Sequence, residues 1–402
     1  MFIVQESLID NTDDEEKSID NMLFTQGDNN VNHKCKKVRW SMNSNKKSLS
    51  LAIVICVLMM TTAVWALESR ANNGGTTTGF ITEYAIPVSG SNPQHLAIES
   101  ASSPSSIWFT MMDADALGHL VVTSTLDFQF TTYPLSAGSE PYDIAYDDSA
   151  GMVWFTEPGS SQLGQLDVVT KIITETAVPN GDVPWGIDVA PNGAVWFTEP
   201  DANQVVRYQP NSQTFTSFPH NLAGGQPERI EVLNDNSVWV TLPGVDRIAE
   251  LEVNIAQYFN IPVSDIGSPP FPPDGLALDS TGPWITAPTL DRIGRYDAGT
   301  LAFWSWYPLT VTANDLAYRQ VSNTKELWFT SMAAGKVGLL TLNNQGDIIS
   351  FGTYPLPTPN SEPVDIAIAD DGTAWITESG GNQIAAWQSP YFHKSFLSFV
   401  SK

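Results

Sequence analysis

Val153-Trp154-Phe155-Thr156 is one of seven copies of a short phrase in which a Trp is followed by an apolar residue and then a Thr. Successive Trp of these cores are 46, 42, 43, 45, 44 and 47 residues apart. The seven are Trp108, Trp154, Trp196, Trp239, Trp284, Trp328 and Trp375. A repeat of roughly 40 to 50 residues is typical of solenoids and propellers. The chain is therefore predicted to contain seven copies of one structural unit.

Each copy divides into four short runs, as the second one shows. Residues 141–146 (Pro-Tyr-Asp-Ile-Ala-Tyr) precede the Trp core, residues 162–166 (Gln-Leu-Gly-Gln-Leu) follow it, and a fourth apolar run closes the unit. Runs rich in β-branched and aromatic residues, separated by Gly, Asn, Asp and Pro, are typical of strands and tight turns. Four strands per repeat make one propeller blade. The sequence predicts an all-β, seven-bladed β-propeller over residues 80–389.

The two ends of this region predict how the ring closes. The last unit ends near Trp387 without an outer strand of its own, whereas residues 81–87 (Ile-Thr-Glu-Tyr-Ala-Ile-Pro) form an outer-strand sequence before the first Trp. Pairing of that strand with the last blade would leave no open sheet edge. The repeated Trp side chains are expected to be core residues that pack between adjacent blades.

The segments outside the repeats predict export. Residues 1–48 are polar and carry blocks of charge, which favours a disordered tail. Residues 49–67 contain no charged residue and are long enough to span a bilayer as a helix. Lysines precede this segment and Glu68 follows it, so the tail is expected inside and the propeller outside, after a linker at 68–79. The alternative is a signal peptide starting at Met42 and cleaved near Ala66, which would release a secreted protein.

Composition narrows the possible partners. From residue 68 onwards there are 12 Lys and Arg against 36 Asp and Glu, a net charge of −24. Such a surface repels nucleic acid and suits cations or cationic ligands, although a merely soluble surface would look the same. The two cysteines, Cys35 and Cys56, precede the repeats, so no disulfide is expected in the propeller. An apolar tail at 390–402 follows the ring and has no assigned role.

The residue that follows the opening Pro of each unit is expected to face the mouth of the central channel. Around the ring this column reads Gln94, Tyr142, Trp185, Glu228, Asp274, Asn314 and Val364. Tyr142, Trp185, Glu228 and Asp274, with His95 beside them, are predicted to bind an unidentified small molecule or protein. Glu157, Glu199, Glu362 and Glu378 are candidate ligands for Mg²⁺ or Ca²⁺. The alternative is that Glu157, Glu199 and Glu378 bond to neighbouring backbone at a blade turn.

The repeated phrase resembles that of the streptogramin B lyases, also called the virginiamycin B lyase family. The clearest matches are Pro184-Trp185-Gly186-Ile187 with residues 195–199 (Val-Trp-Phe-Thr-Glu), and residues 291–295 (Asp-Arg-Ile-Gly-Arg). The resemblance covers about residues 80–388. It implies a seven-bladed propeller that opens a cyclic depsipeptide antibiotic by elimination, with two histidines, two glutamates and a magnesium ion on the last blades.

Carried over residue by residue, the resemblance predicts loss of that chemistry. The positions of the two histidines are Asn314 and Val364 here, and of the two glutamates only Glu362 is kept, since Ser379 takes the other place, next to Glu378. The chain is therefore expected to be a membrane-anchored, extracytoplasmic binding module on a lyase-like scaffold. The alternatives are a metal-dependent lyase with relocated groups (Glu228, Asp274 or Glu362) and a structural role in a cell envelope.

Overall fold

Seven antiparallel sheets of at least four strands follow one another along this computed structural model, one for each Trp core. The structure describes residues 81–99, 105–124, 127–264, 271–297 and 303–388, together with short strands before residue 79. The first strands of successive sheets contact one another in order, and the first strand of the last sheet contacts that of the first. The predicted seven-bladed propeller is confirmed, and its channel is lined by the first strand of every blade.

Strands are given from the innermost to the outermost in each blade. Blade 1 contains Pro93–Ile98, Ser105–Met111, Ala116–Ser124 and Asp127–Pro134. Blade 2 contains Ile144–Asp147, Met152–Glu157, Gln162–Asp167 and Ile173–Ala177. Blade 3 contains Ile187–Val189, Val195–Glu199, Gln204–Gln209 and Thr214–Pro219. Blade 4 contains Ile230–Asn234, Ser237–Leu242, Arg247–Glu252 and Gln257–Pro262.

The remaining blades follow the same order. Blade 5 contains Leu276–Asp279, Gly282–Ala287, Arg292–Asp297 and Phe303–Pro308. Blade 6 contains Leu316–Val321, Thr324–Ser331, Lys336–Asn343 and Ile348–Pro355. Blade 7 contains Pro363–Ile368, Thr373–Glu378 and Gln383–Gln388. Short 3₁₀ turns occur at Met112–Ala114, Pro179–Gly181, Pro243–Val245, Val253–Ile255 and Pro288–Leu290.

Blade 7 takes its fourth strand from the start of the domain, as predicted. Ile81–Ala85 pairs antiparallel with Gln383–Gln388, with Ile81 opposite Trp387. A fifth strand, Gly75–Thr78, pairs with Ile81–Ala85 on its outer side. The second half of the predicted linker at 68–79 therefore contains a strand, because an outer strand with a free edge offers backbone groups to any extended segment nearby.

The Thr of each Trp core joins neighbouring blades. In all seven blades its hydroxyl accepts a hydrogen bond from a backbone N–H at the start of the blade's own first strand. In six blades the same hydroxyl donates to a backbone carbonyl at the opening of the next blade. The six are Thr110, Thr156, Thr198, Thr286, Thr330 and Thr377. A hydroxyl suits this position because it donates and accepts at once.

The seven Trp side chains are buried, with at most 3% of their surface exposed, which confirms their predicted place in the core. A glycine on the third strand makes room for the aromatic residue that follows the Trp in several blades. In blade 2, Gly164 lies opposite Phe155, and a Cβ built on it would lie 2.1 Å from the ring. The Trp cores and these close contacts account for the packing between and within blades.

Residues 1–70 form a separate unit. The structure describes short strands there at Ile3–Gln5, Ser18–Ile19, Leu23–Thr25, His33–Lys34 and Val38–Arg39. The predicted anchor at 49–67 and the apolar tail at 390–402 lie outside the described residues, and the predicted disordered tail is not tested by these strands. No helix in the part of the chain that the structure describes has both the length and the apolar character needed to cross a bilayer.

Candidate functional site at the channel mouth

The residue after each opening Pro is fixed through its backbone. Trp185 shows the arrangement: its N–H donates to the Thr198 carbonyl at 2.9 Å, and its own carbonyl accepts from Thr156 Oγ1 of the preceding blade at 2.7 Å. Tyr142 is held in the same way, by the Thr156 carbonyl and by Thr110 Oγ1. Because both backbone groups are engaged, these positions are rigid supports for side chains at the mouth.

One side of the mouth is aromatic. The rings of Tyr142 and Trp185, from blades 2 and 3, have centroids 4.1 Å apart at an angle of 32°. His95 of blade 1 meets Tyr142 edge to face, with centroids 4.8 Å apart. The structure thus brings together three of the five predicted ligand-binding residues. Tyr142 and Trp185 are only partly buried, so ring surface faces the mouth.

The next two blades supply carboxylates. Glu228 of blade 4 and Asp274 of blade 5 are partly buried, and burial raises the pKa of both groups. The nearby Asp274 carboxylate raises the pKa of Glu228 further. Burial also raises the pKa of the Tyr142 phenol to about 12, and both carboxylates add to that shift. Because equivalent positions of successive blades face the same axis, both carboxylates and Tyr142 border one mouth.

A layer of charged side chains, which we call the throat, lies one residue further along each strand. Arg229 of blade 4 reaches across to blade 1, where its Nη1 lies 3.2 Å from both ring nitrogens of His95. Its Nη2 lies 3.9 Å from Asp315 Oδ1. His95 Nδ1 in turn lies 3.6 Å from Asp143 Oδ1 and from Asp365 Oδ2. These contacts bridge opposite sides of the channel below the mouth.

The throat residues also hold the ring together. Asp143 Oδ2 accepts from the Ile187 N–H of the next blade at 2.9 Å, and Asp365 Oδ2 accepts from the Leu96 N–H at 2.7 Å. His95 is only 2% exposed, and burial lowers its pKa to about 4 with the Arg229 charge acting in the same direction. His95 is therefore neutral at pH 7 and serves as a buried support for Arg229.

A cavity of about 370 Å³ begins at the throat and runs along the first strands of the blades. It is lined by throat residues and by the residues that follow them, but not by Tyr142, Trp185, Glu228 or Asp274. Five blades place an Ala opposite the repeated Trp in this wall: Ala97, Ala145, Ala277, Ala317 and Ala367. The other two blades place Asp188 and Glu231 there. Two acidic side chains thus take the place of Ala in the wall of the cavity.

The four glutamates predicted to bind a metal are not brought together. Glu157, Glu199 and Glu378 end the second strands of three different blades, and at most 1% of the surface of each is exposed. Glu362 lies exposed before the first strand of blade 7, with a left-handed φ of 48°. Across the described residues, no three His, Cys, Asp or Glu side chains are grouped in a way that could hold a metal ion. The four predicted ligands therefore lie at separate places in the described structure.

Strand alternation explains this arrangement. Thr156 points to the next blade, where it meets the Trp185 carbonyl, so Glu157 must point to the opposite face of the sheet. On that face, burial raises the pKa of Glu157 to about 7. The negative charges of Glu175 and Asp115 raise this pKa further. Burial also raises the pKa of Glu199 to about 7 and that of Glu378 to about 9. These groups are buried acids between blades, away from the channel.

Glu157 and Glu199 each accept a hydrogen bond from a side chain of their own blade. Ser160 Oγ donates to Glu157 Oε2 at 2.9 Å, and Gln204 Nε2 donates to Glu199 Oε2. Both donors are side chains of the same blade as their glutamate, so the described structure shows local bonding for these two, but not the predicted bonding to backbone. Glu378 differs, since neither of its oxygens is paired with a donor within the described structure.

Arg229 is the site residue that sequence reasoning missed. The throat column holds His, Asp or Gly in the other six blades, and Arg229 is the one residue in it with a permanent positive charge. That departure from the repeat was a visible signal. What the sequence does not show is that the side chain spans the channel.

Comparison with known proteins places this fold. The model of the virginiamycin B lyase family matches residues 121–387. Virginiamycin B lyase from Staphylococcus aureus superposes with a TM-score of 0.65 at 24% identity, over 77% of this chain and 99% of that one. A streptogramin B lyase structure gives 0.66 at 22% identity, over 77% and 97%. A catalytically inactive variant of the Staphylococcus aureus enzyme, solved with quinupristin, gives 0.64 at 24%, over 77% and 99%.

No curated protein matches the sequence. At these identities the solved structures support the fold alone, and the assignment rests on the family match, which spans more than half of the 402 residues. Together with the seven Trp cores and the closure by the first strand, that match identifies this chain as a member of the virginiamycin B lyase family.

Proposed function

We propose that this propeller binds a small ligand at its mouth and does not carry out the elimination associated with its family. The observation that carries the proposal is the composition of the mouth. It offers two aromatic rings tilted against each other by 32° and two carboxylates, with the contact between Arg229 and Asp315 beneath them. It lacks a histidine at the two places where the family resemblance implies one.

The two positions at which the resemblance implies histidines are occupied here by Asn314 and Val364. Asn314 Oδ1 accepts from the Met332 N–H at 3.0 Å, and Asn314 Nδ2 lies 3.5 Å from Asp274 Oδ2. Val364 is apolar and 8% exposed. An elimination needs a base whose pKa is near the working pH and within reach of the substrate. His95 does not meet that need, because it is buried and its pKa lies near 4.

The residues present do not fit the magnesium ion that the resemblance implies. Glu362 is exposed and stands without a second carboxylate in a ligand group, and Ser379 Oγ is used in a hydrogen bond to the Glu362 carbonyl at 3.1 Å. Mg²⁺ is usually held by one or two carboxylates in near-octahedral geometry. No step of the proposal therefore runs through this ion.

A second candidate is an elimination in which Glu228 acts as the base. The observation in its favour is that burial and the neighbouring Asp274 raise the pKa of Glu228 towards the range of a general base. Asp274 and Glu362 are the other two residues predicted from the sequence as catalytic groups of a relocated lyase site.

Incubation of the full-length protein with quinupristin separates the two candidates. Ring opening by elimination leaves the mass unchanged and alters the chromatographic retention, whereas hydrolysis adds one water. The reaction should be run with Mg²⁺ and with a chelator in parallel. We expect no ring opening in either condition. Ring opening that is abolished by Glu228→Gln but not by Glu362→Gln would favour the second candidate and contradict the first.

We propose, as a separate point, that residues 49–67 attach the protein to a membrane with the propeller outside. The support is the uncharged segment flanked by lysines on its amino-terminal side and by Glu68. Protease added to intact cells should then digest the propeller while the first 48 residues stay protected. Recovery of the propeller in the medium, with a new amino terminus near Ala66, would favour the cleaved signal peptide instead.

A further inference from the structure

We infer that the mouth selects an organic cation, an ammonium group carried next to an aromatic or other flat apolar group. This inference deepens the proposed binding function and rests on the same site. It assigns the ligand class from four side chains on consecutive blades: Tyr142, Trp185, Glu228 and Asp274. We call this set the aromatic–acidic arc.

The aromatic half of the arc supplies a face for the cation and for its apolar group. The rings of Tyr142 and Trp185 pack on one another, with centroids 4.1 Å apart at an angle of 32°, and both residues are partly exposed. The face of an aromatic ring attracts a cation, by about 0.5–2 kcal/mol depending on how far the ion is desolvated. The backbone bonds at Trp185 and Tyr142 fix this surface before a ligand arrives, which limits the entropy lost on binding.

The acidic half of the arc supplies the opposite charge. Glu228 follows Trp185 around the ring, and Asp274 follows Glu228, so the ammonium group of a ligand lying on the rings would be directed towards two carboxylates. The three throat aspartates lie beneath them, and burial raises the pKa of Asp143 and Asp315. The mouth and throat columns together contain one Arg or Lys, which is Arg229. Five carboxyl groups therefore face one guanidinium, and a cationic ligand reduces this imbalance.

Arg229 does not turn the mouth into an anion site. Its Nη1 is placed against the His95 ring and its Nη2 towards Asp315, so the guanidinium is directed into the throat. A carboxylate or phosphate ligand would have to approach Glu228 and Asp274 to reach it. Like-charge contacts of that kind are unfavourable in a partly buried site.

The other half of the mouth is neutral. Gln94, Asn314 and Val364 complete the ring, and none of them carries a charge at any ordinary pH. This asymmetry would orient the proposed ligand, because one end of that ligand is charged and the rest is not. A metal ion has no such asymmetry, and among the described residues no three His, Cys, Asp or Glu side chains are grouped to hold one.

Calorimetric titration of the full-length protein with matched probes tests the inference. Phenethylamine, 2-phenylethanol and 3-phenylpropionate share an aromatic group and differ in charge. We expect phenethylamine to bind at least tenfold more tightly than 2-phenylethanol and 3-phenylpropionate not to bind. Equal binding of the amine and the alcohol, or no binding of the amine, overturns the inference. Competition by millimolar Mg²⁺ that is lost in Asp274→Asn would show a metal site instead.

Variants then locate the binding. Asp274→Asn and Trp185→Leu should each weaken phenethylamine binding by about tenfold, equal to about 1.4 kcal/mol. Glu362→Gln is the matched charge control, since it removes one carboxylate at an exposed position outside the arc. This variant should bind phenethylamine as the wild type does. Weakening by Glu362→Gln equal to that by Asp274→Asn would mean that overall charge, not the arc, attracts the amine.

The outcome is separable from that of the proposed function. Ring opening of quinupristin would contradict the absence of elimination and would leave amine selectivity intact. Failure of the amine series, with no ring opening, would remove the ligand class and keep the absence of elimination. Circular dichroism and thermal unfolding of every variant show whether a loss of binding reflects a loss of folding.

Discussion

Thr377 Oγ1 donates a hydrogen bond of 2.6 Å to the carbonyl oxygen of Gln94, which lies 283 residues earlier in the chain. The same hydroxyl accepts from the Asp365 N–H at 3.0 Å. One side chain therefore connects the last blade to the first and also fixes the start of its own inner strand. Both partners are backbone groups at the channel, where an unpaired N–H or carbonyl is costly.

Replacing this hydroxyl should weaken the ring. Thr377→Val keeps the shape of the side chain and leaves the Asp365 N–H and the Gln94 carbonyl without their partner. We expect the free energy of unfolding to fall by about 2–4 kcal/mol, measured by urea titration. Thr241→Val is the control, since that hydroxyl accepts from the Arg229 N–H but donates to no carbonyl among the described residues. An equal loss in both variants would argue against a contribution from the link between blades.

The tight contact between Gly164 and Phe155 predicts a steric effect. Gly164→Ala would place a methyl group 2.1 Å from the Phe155 ring, so the ring or the strand must move. We expect a destabilisation of about 1–3 kcal/mol in thermal or urea unfolding. In the background of Phe155→Leu the same change should cost less, because the aromatic ring that it meets is gone. A cost that is the same in both backgrounds would mean that backbone conformation, not the ring, disfavours alanine.

Asp279 predicts sensitivity to acid. Its carboxylate is 5% exposed and accepts from Lys325 Nζ at 3.0 Å, Arg295 Nε at 3.3 Å and Trp284 Nε1 at 3.1 Å. Hydrogen bonds from the neighbouring Thr281 and from Lys325 hold its pKa well below the ordinary value despite burial. Because the folded pKa is depressed, this stabilisation is present above the ordinary pKa of Asp and is lost as the pH falls below it.

Asp279→Asn should therefore lower the free energy of unfolding at pH 7 by about 3 kcal/mol, since two cations would lose their buried partner. The difference from the wild type should narrow as the pH is lowered below about 4. Asp148→Asn serves as the control, because that carboxylate is exposed. If the two variants unfold alike at pH 7, the assigned role of Asp279 is wrong.

Glu378 predicts the opposite dependence on pH. Its pKa is raised to about 9 by burial and by the neighbouring Glu83, so the folded state keeps it protonated where the unfolded state ionises it. A raised pKa in the folded state makes stability fall as the pH rises from the ordinary value of Glu to about 9, by up to about 1.4 kcal/mol per pH unit. Glu378→Gln removes this titration.

The variant Glu378→Gln should be more stable than the wild type at pH 8 and indistinguishable from it near pH 4. Thermal unfolding across this range measures the difference. Glu362→Gln, at an exposed position, should show no such trend. A constant difference between Glu378→Gln and the wild type at all pH values would indicate altered packing rather than a buried titrating group.

The fold could be predicted because its signal is repeated and local. The Trp cores fix the number of blades, and the unmatched outer-strand sequence at residues 81–87 fixes the closure, which the pairing of Ile81 with Trp387 confirms. The strand at Gly75–Thr78 was missed because its four residues, Gly-Thr-Thr-Thr, have no apolar alternation. Its pairing depends on an available sheet edge, which is a property of the assembled blade.

The site was only partly predictable. The column after the opening Pro predicts that Tyr142, Trp185, Glu228 and Asp274 share one mouth, because equivalent positions in a propeller face the same axis, and the structure shows contact between the first two. The place of Glu157 depends on alternation along the strand: Thr156 points to the next blade, so its neighbour faces the other seam. The contact between Arg229 and His95 across the channel joins residues 134 positions apart and depends on side-chain reach.

The pairing of Ile81–Ala85 with Gln383–Gln388 has a consequence for chain connectivity. Both ends of the propeller leave from the outer part of the same blade, so a short peptide could join them and new termini could be opened elsewhere. In such a circular permutant, blade 7 would become covalently continuous and another blade would depend on pairing between distant segments. The chain termini could then lie in any blade without a change of fold. A ring with a different first blade should still close.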